Sequence, residues 1–485
     1  MPLILGANSV RDTGYNVANS CRFESGDSDN LSRTNVSSVT NQFKWTFSFW
    51  VKLSDLSASR DGNPFLFSDH TDSNNRAAIF FESDDTLRIA DRVSGSFTFE
   101  YRTNRKFRDT SNFYHIVVNH DRTVSSPATE VYVNGVQETS FQTSTNPSQN
   151  GTSFFNKASQ SSLIGKYGGG SEFFNGYICE AVWIDGQALD ATSFGEFDDD
   201  SPTHWKPKDV SSLTFGNNGF YLDFEDSSSL GKDVSGNSNN FTVNNLTALN
   251  QTTDTCTNNF CTFTQSDPSA SNFTLTEGNC KVNKSGSGAF GLYGTNIMLS
   301  KGKWYWEVKF TADAGSDRTR AGVAAYESVT GTSTIQGSFS GFEFTCNTGG
   351  RFSTTESGST TEIDGFNQYS TGDIIRFALD MDNQRLYIGR NGDFFNYSSS
   401  ATGGDPSSGS GFVTNSTTVL AAPVTPYAGH SVGVSGTSTL EYNFGNPTFS
   451  ISSGNSDSEG FGNFEFAVPS GYFAICTKNL AEYGG

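Results

Sequence analysis

The sequence predicts an all-β protein made of two β-sandwich (jelly-roll) domains in tandem. Three observations predict it. The first is composition: of 485 residues only 34% are hydrophobic, yet 14% are aromatic and 43 are Phe. A chain poor in Leu and Ala but rich in Phe, Gly, Ser, Thr and Asn favours short strands and turns over helices. The second is apolar recurrence at period two in many short segments. The third is the tight-turn dipeptides between them, Asn134-Gly135 and Asn391-Gly392, which favour two-residue hairpins.

Residues 45–52 (WTFSFWVK) alternate aromatic and polar side chains, the pattern of a half-buried strand. Residues 77–81 (AAIFF), 113–119 (FYHIVVN), 130–136 (EVYVNGV), 162–165 (SLIG), 174–184 (FNGYICEAVWI) and 220–224 (FYLDF) continue the set. Strands at this spacing, with one possible helical turn at 190–194, indicate a sandwich or barrel. The first domain is therefore expected over 1–228. Residues 229–255 are polar and Asn/Ser-rich and read as a linker.

A second domain is expected over 256–450. Its strands are 302–310 (GKWYWEVKF), 321–324 (AGVA), 373–379 (DIIRFAL), 385–390 (RLYIGR) and 439–444 (TLEYNF). The Ser/Gly/Thr tract 398–418 reads as an exposed loop. Residues 451–485 are expected to pack on this second domain. No repeat of fixed period appears, which disfavours solenoids and propellers.

Net charge is −20. Such a field repels phosphate backbones and anionic headgroups, so no nucleic-acid partner is expected. No apolar run approaches the ~18–20 residues that span a bilayer, so no membrane insertion is expected. The first ten residues lack a basic n-region, so no secretory leader is expected there. Seven cysteines, odd and scattered, do not form a disulfide framework. Cys256, Cys261 and Cys280 are the nearest to a cluster, without a CxxC pair.

A search for catalytic constellations finds none. The five histidines include no HExxH, and neither a GxSxG elbow nor a P-loop is present. Glu362-Ile363-Asp364 has two acids of an E-x-D-x-E strand, but Phe366 and Asn367 stand where the third would fall. The chain is therefore read as a binding protein, not an enzyme. Ligand contact is expected at loop aromatics on which a sugar ring could stack. These are Tyr167, Phe173 and Trp205 in the first domain and Tyr427 in the second.

The first set of segments, with FYHIVVNHD from Phe113 and FNGYICEAVWIDGQAL from Phe174, resembles the laminin G-like, concanavalin-type jelly roll. The second is similar to the SPRY domain, carried by GKWYWEVKF, AGVA, DIIRFALDMDNQRLYIGRNGDFF from Asp373, VTPYAG and YNFGNPTF. Their pairing, with an ending like AVPSGYFAICTKNL, resembles tailed-phage virion proteins of tail-fibre or receptor-binding type. That resemblance implies a place on the virion, assembly in the host cytoplasm, homo-oligomers and other virion proteins as partners. It implies a host-surface glycan or protein as ligand. The alternatives are a capsid or tail decoration protein and a glycan depolymerase. Pentraxin-type relatives imply a Ca2+ site at Asp69, Asp72, Asn74 and Asn75. Their further acids after the Leu-Ile-Gly strand are replaced here by Lys166-Tyr167-Gly168.

Overall fold

A strand with one apolar face needs a second sheet to bury it, and the chain builds two such pairs. The computed structural model describes residues 4, 14–56, 62–126, 128–264, 273–285, 291–312, 319–325, 341–345, 351–356, 359–363, 370–397, 401–415, 419–421, 423–430 and 437–485. They fall into two compact units. One is Thr13–Thr257; the other is Asn258–Gly485, to which Ile4 also belongs.

The described residues of the N-terminal unit hold eighteen strands. They begin with β1 (Ser20–Phe23), β2 (Asn30–Thr34), β3 (Lys44–Leu53), β4 (Phe65–Asp72), β5 (Asn75–Phe81) and β6 (Thr86–Val93). Next come β7 (Ser96–Lys106), β8 (Tyr114–Asp121), β9 (Thr129–Val133), β10 (Val136–Gln137), β11 (Phe141–Thr145) and β12 (Ser161–Ile164). The last are β13 (Gly176–Asp185), β14 (Gly195–Phe197), β15 (Trp205–Pro207), β16 (Phe220–Leu222), β17 (Thr242–Asn244) and β18 (Gln251–Thr252).

One sheet runs β10-β9-β8-β3-β13-β1-β18, with β16 also on β13. The other runs β11-β7-β6-β5-β4-β12-β2-β17. Their facing sides meet in an aromatic core. Phe67 of β4 lies 5.3 Å from Phe47 of β3 and 4.8 Å from Trp183 of β13, ring centre to ring centre. Trp45 stacks on Trp183 at 4.9 Å. The Asn134-Gly135 hairpin forms as expected, with φ of 49° and 76° joining β9 to β10.

Two expectations need correction. Residues 229–255 are not a linker. β17 pairs with β2 and β18 with β1, so this segment extends both sheets, and the division between units falls after Thr257. Its pairing segments, Thr-Val-Asn and Gln-Thr, are too short and polar to register as strands. The segment is also anchored by charge: Lys52 of β3 and Asp254 form an ion pair with both side chains buried. Nor is β3 half-buried. Along both β3 and β13 almost every residue is buried, on both faces. The outer face is covered by residues 186–215, which bring Trp205, Val210 and Phe215 onto Trp50, Val117 and Val182. Of the polar residues of WTFSFWVK, Thr46 bonds to that cover. The Thr46 hydroxyl donates to Gln187 O and accepts from Leu189 N–H. The expected helical turn is a 3-10 helix, Ala191–Ser193, capped by the Asp190 carboxylate accepting from Thr192 N–H.

In the C-terminal unit one sheet has the order Phe273–Thr276, Lys281–Lys284, Ser438–Asn443, Lys303–Ala312, Ile374–Asp380, Arg385–Arg390, Asp393–Asn396, Ala401–Gly404. A six-stranded sheet faces it, and Trp304, Trp306, Ile375, Phe377 and Val424 are among the buried core. Ala401–Gly404 is thus a strand rather than an exposed loop, while 398–400 and 416–418 lie outside the described residues. The chain end returns to this unit. Phe473–Ala474 pairs in parallel with Lys303–Ala312, and helix α1 (Thr477–Tyr483) follows. The buried Glu307 carboxylate accepts from the backbone N–H groups of Glu465 and Phe466 and from the Tyr305 hydroxyl.

Replacing Lys52 by Met strands a buried carboxylate, so unfolding free energy should fall by roughly 3–5 kcal/mol. A Lys52→Met/Asp254→Leu double variant should recover most of it, as read by denaturant titration of the full chain. Equal losses in both variants would show that the pair itself does not anchor β18.

A pH dependence follows from Glu180, at a bulge in β13 with φ of 52°. Burial, opposed by the hydrogen bond from the Tyr221 hydroxyl, pushes its carboxyl from 4.5 up to about 8. Between those values the folded chain holds a proton that the unfolded chain releases, so stability falls as pH rises through that window. Glu180→Gln should flatten the decline of Tm from pH 5 to 8 in thermal unfolding. It should not abolish it, because burial also raises Asp69 to about 7.

Candidate functional site

Register decides what the second sheet of the N-terminal unit shows to solvent. β5 turns Ala77, Ile79 and Phe81 into the core and Arg76, Ala78 and Phe80 outward. β6 turns Leu87 and Ile89 inward and Arg88, Ala90 and Arg92 outward. The ladder between them sets Arg76 opposite Arg92, Ala78 opposite Ala90 and Phe80 opposite Arg88. Bulges in β4 and between β6 and β7 break the alternation, and Phe65 and Phe97 join the same outer face.

The result is a shallow groove open to solvent. Ala78, Phe80, Phe65 and Ala90 form a nearly buried floor. Phe65 stacks on Phe80 at 4.5 Å. Phe97 stands at one wall, 43% exposed. Tyr167 stands at another, its ring 4.7 Å from Phe65. The hairpin carrying Tyr167 is held by Tyr167 N–H donating to Glu172 O (2.9 Å) and by the bridge between Lys166 and Phe173. It passes so close to β4 that a Cβ on Gly168 would sit 2.4 Å from the His70 Cβ. Glycine is required there.

Three guanidinium groups line the groove. Arg88 is neutralised by Glu82 and Glu100, each at 2.7 Å, and lies 4.7 Å from the Phe97 ring centre. Arg76 and Arg92 have no carboxylate partner among the described residues. Both donate through Nη1 to the same carbonyl, Ser73 O, at 3.0 and 3.1 Å. Arg76 also donates to the Tyr167 hydroxyl and lies 5.1 Å from that ring's centre. Arg92 Nε donates to Gly95 O at 2.9 Å. The turns at the ends of β4 and β6 thus hold both arginines in place.

Of the aromatics expected to meet ligand, Tyr167 alone borders this groove. Phe173 is half-buried across the same hairpin, with Lys166 Nζ 5.1 Å from its ring centre. Trp205 is buried, and its indole N–H donates to Nδ1 of His115 at 2.8 Å. His115, with Trp50 stacked 4.5 Å away, shares its Nε2 with the Ser48 hydroxyl. Burial lowers this imidazole to about 3, so it stays neutral, accepting through Nδ1 and donating through Nε2. Tyr427 is fully buried in the C-terminal unit, on the strand Val424–His430. Both were expected on exposed loops, and each is instead buried.

The expected calcium ligands do not converge. Asp69 is fully buried and accepts from the Ser162 hydroxyl and the Asn156 N–H. Asp72 lies in the exposed β4–β5 turn, accepting from Asn74 N–H at 2.8 Å and from the Asn75 amide at 3.0 Å. These hydrogen bonds, that of Asn75 first, hold the Asp72 carboxyl below its usual range. With that carboxylate so engaged, Asn75 presents an amide donor where a cation would need an oxygen. Among the described residues no group of three or more His, Cys, Asp or Glu side chains is placed to hold a metal ion. The acid pair at 362–364 cannot be assembled, since Asp364 lies outside the described residues.

The arginines are the part that sequence reading missed. Their signal was present as Arg76-x-Ala78-x-Phe80 and Arg88-x-Ala90-x-Arg92, each at strand period.

A family model described as the concanavalin A-like lectin/glucanases superfamily, of laminin G type, matches residues 25–193. The N-terminal unit therefore contains a concanavalin-like domain. No curated protein sequence matches the chain. Among solved structures, the SPRY domain of human HERC1 aligns at 16% identity, covering 37% of this chain and 96% of that one, TM-score 0.28. A putative carbohydrate binding protein from Bacteroides ovatus aligns at 15% identity, covering 47% and 59%, TM-score 0.31. Domains LG4-5 of the mouse laminin alpha1 chain align at 9% identity, covering 86% and 84%, TM-score 0.27.

Trp205→Phe should cost roughly 1–3 kcal/mol by leaving His115 Nδ1 buried without its donor. Denaturant unfolding reads the cost, and ligand affinity should not move. A loss of binding without loss of stability would return Trp205 to the ligand site.

Proposed function

We propose that the N-terminal unit is a saccharide-binding module and that the chain acts by recognition rather than turnover. The observation that carries this reading is the open groove on the outer face of β4–β7. Its sister sheet has the corresponding face covered by 186–215, whereas here Phe97 and Tyr167 flank a floor of Phe65 and Phe80. Sugar rings lay their C–H faces on such aromatics, while guanidinium donors take their hydroxyls. The family description, which names lectins and glucanases, supports the assignment.

We extend the reading to the whole chain as a surface component of a tailed-phage virion, assembled in the host cytoplasm as a homo-oligomer and holding a host-surface glycan or protein. Support for that extension is the succession of laminin G-like and SPRY-like sequence blocks. Immunogold labelling of particles tests it. Label at a tail tip supports attachment, label across the capsid favours a decoration role, and unlabelled particles overturn a virion role.

The binding reading is tested on the full chain with an oligosaccharide panel and calorimetry. Phe97→Ala and Tyr167→Ala should each weaken binding about tenfold. The Phe97 variant should keep its Tm, since that ring is 43% exposed. Saccharide binding unchanged in both variants, or absent at millimolar ligand, would overturn the assignment. Release of reducing ends from a bound polysaccharide would make the chain a depolymerase instead.

A further inference from the structure

We infer that the groove takes an acidic saccharide, its carboxylate or sulfate held between Arg76 and Arg92; this rests on the saccharide-binding reading above. The first ground is the cross-strand pair itself. Arg76 and Arg92 face each other directly across the β5–β6 ladder. Like charges in that position repel and destabilise a sheet. The ordinary relief is a carboxylate between them, as Glu82 and Glu100 provide for Arg88. None serves Arg76 or Arg92 among the described residues: Asp72, the nearest acid in sequence to Arg76, is engaged by Asn74 and Asn75, and Asp91, next to Arg92, is buried against Arg122.

The second ground is orientation. Both Nη1 atoms donate to Ser73 O, so the two guanidiniums converge on one point, and neither Nη2 has an acceptor among the described residues. Neighbouring guanidinium N–H groups match the two oxygens of a carboxylate or sulfate, and such charge-assisted bonds are about twice as strong as neutral ones. The third ground is the rest of the chain. With 31 basic and 51 acidic residues, its overall field discourages anions. Two unpaired arginines fixed beside Phe97 and Tyr167 oppose that field at one place, and a saccharide is the anion that also uses the rings.

Calorimetry on the full chain decides it, with four probes: a uronic-acid oligosaccharide, a sulfated oligosaccharide, a neutral oligosaccharide of equal length and an oligoglutamate. Binding of either acidic oligosaccharide at least tenfold tighter than the neutral one is expected, and which acid wins identifies the oxyanion. Arg76→Gln and Arg92→Gln should each cost about tenfold on the acidic ligand and little on the neutral one. Each single variant keeps one arginine on Ser73 O, so folding survives, as an unchanged Tm would confirm. Neutral and acidic ligands binding equally, or both variants binding the acidic ligand like the parent chain, overturns this inference while leaving the saccharide module standing. Oligoglutamate binding as tightly as the acidic sugars overturns it as well, since charge alone would then suffice. Failure of every sugar to bind removes the broader reading too.

Discussion

A β-sheet has two faces, and only one can point into the sandwich core. How the other face is treated governs the rest of this molecule. In the N-terminal unit the first sheet buries both sides. Its inner face meets the second sheet through Phe47, Trp45 and Trp183, and its outer face lies under residues 186–215. In the C-terminal unit the eight-strand path is treated alike: Phe464, Tyr472 and Ala474 of the chain end cover Tyr305, Ala378 and Tyr387. The outer face of β4–β7 receives no such cover from the described residues, and there aromatic and arginine side chains meet solvent.

Covering a sheet brings polar groups out of water, and each must find a partner. The structure meets this requirement with a few deeply placed groups. Lys52 pairs with Asp254 as β18 closes one sheet edge, and Arg122 meets Asp91 at 3.1 Å with both side chains fully buried. Glu307 gathers the Glu465 and Phe466 N–H groups, the Tyr305 hydroxyl and the Asn443 amide. Such contacts add modest net stability but make misplacement costly, because a stranded buried charge is far worse than an unmade surface bond. They specify where the covering segments dock.

Much of the architecture was legible in the residues. Strands at 45–52, 77–81, 113–119 and 302–310 announce themselves through aromatic and β-branched content, and Asn134-Gly135 announces its own turn. Residues 242–244 and 251–252 did not, because an edge strand of two or three polar residues is held by its neighbours' backbone rather than by its own side chains. The candidate site divides the same way. Tyr167 was visible as a loop aromatic. Trp205 was equally visible and equally plausible, yet its indole serves His115 beneath the covering segment.

By itself the sequence determined the class of fold, the two-domain content and the positions of most strands, since period-two alternation and turn chemistry are local properties. Arg76-x-Ala78-x-Phe80 and Arg88-x-Ala90-x-Arg92 also stated that these residues share faces. Only the tertiary structure decided that the two faces coincide, that Arg76 sits opposite Arg92, and that none of the described residues covers them. Register, bulges and the docking of distant segments such as 186–215 and 229–257 depend on contacts between residues far apart in sequence. No local pattern encodes which outer face is buried and which is left open.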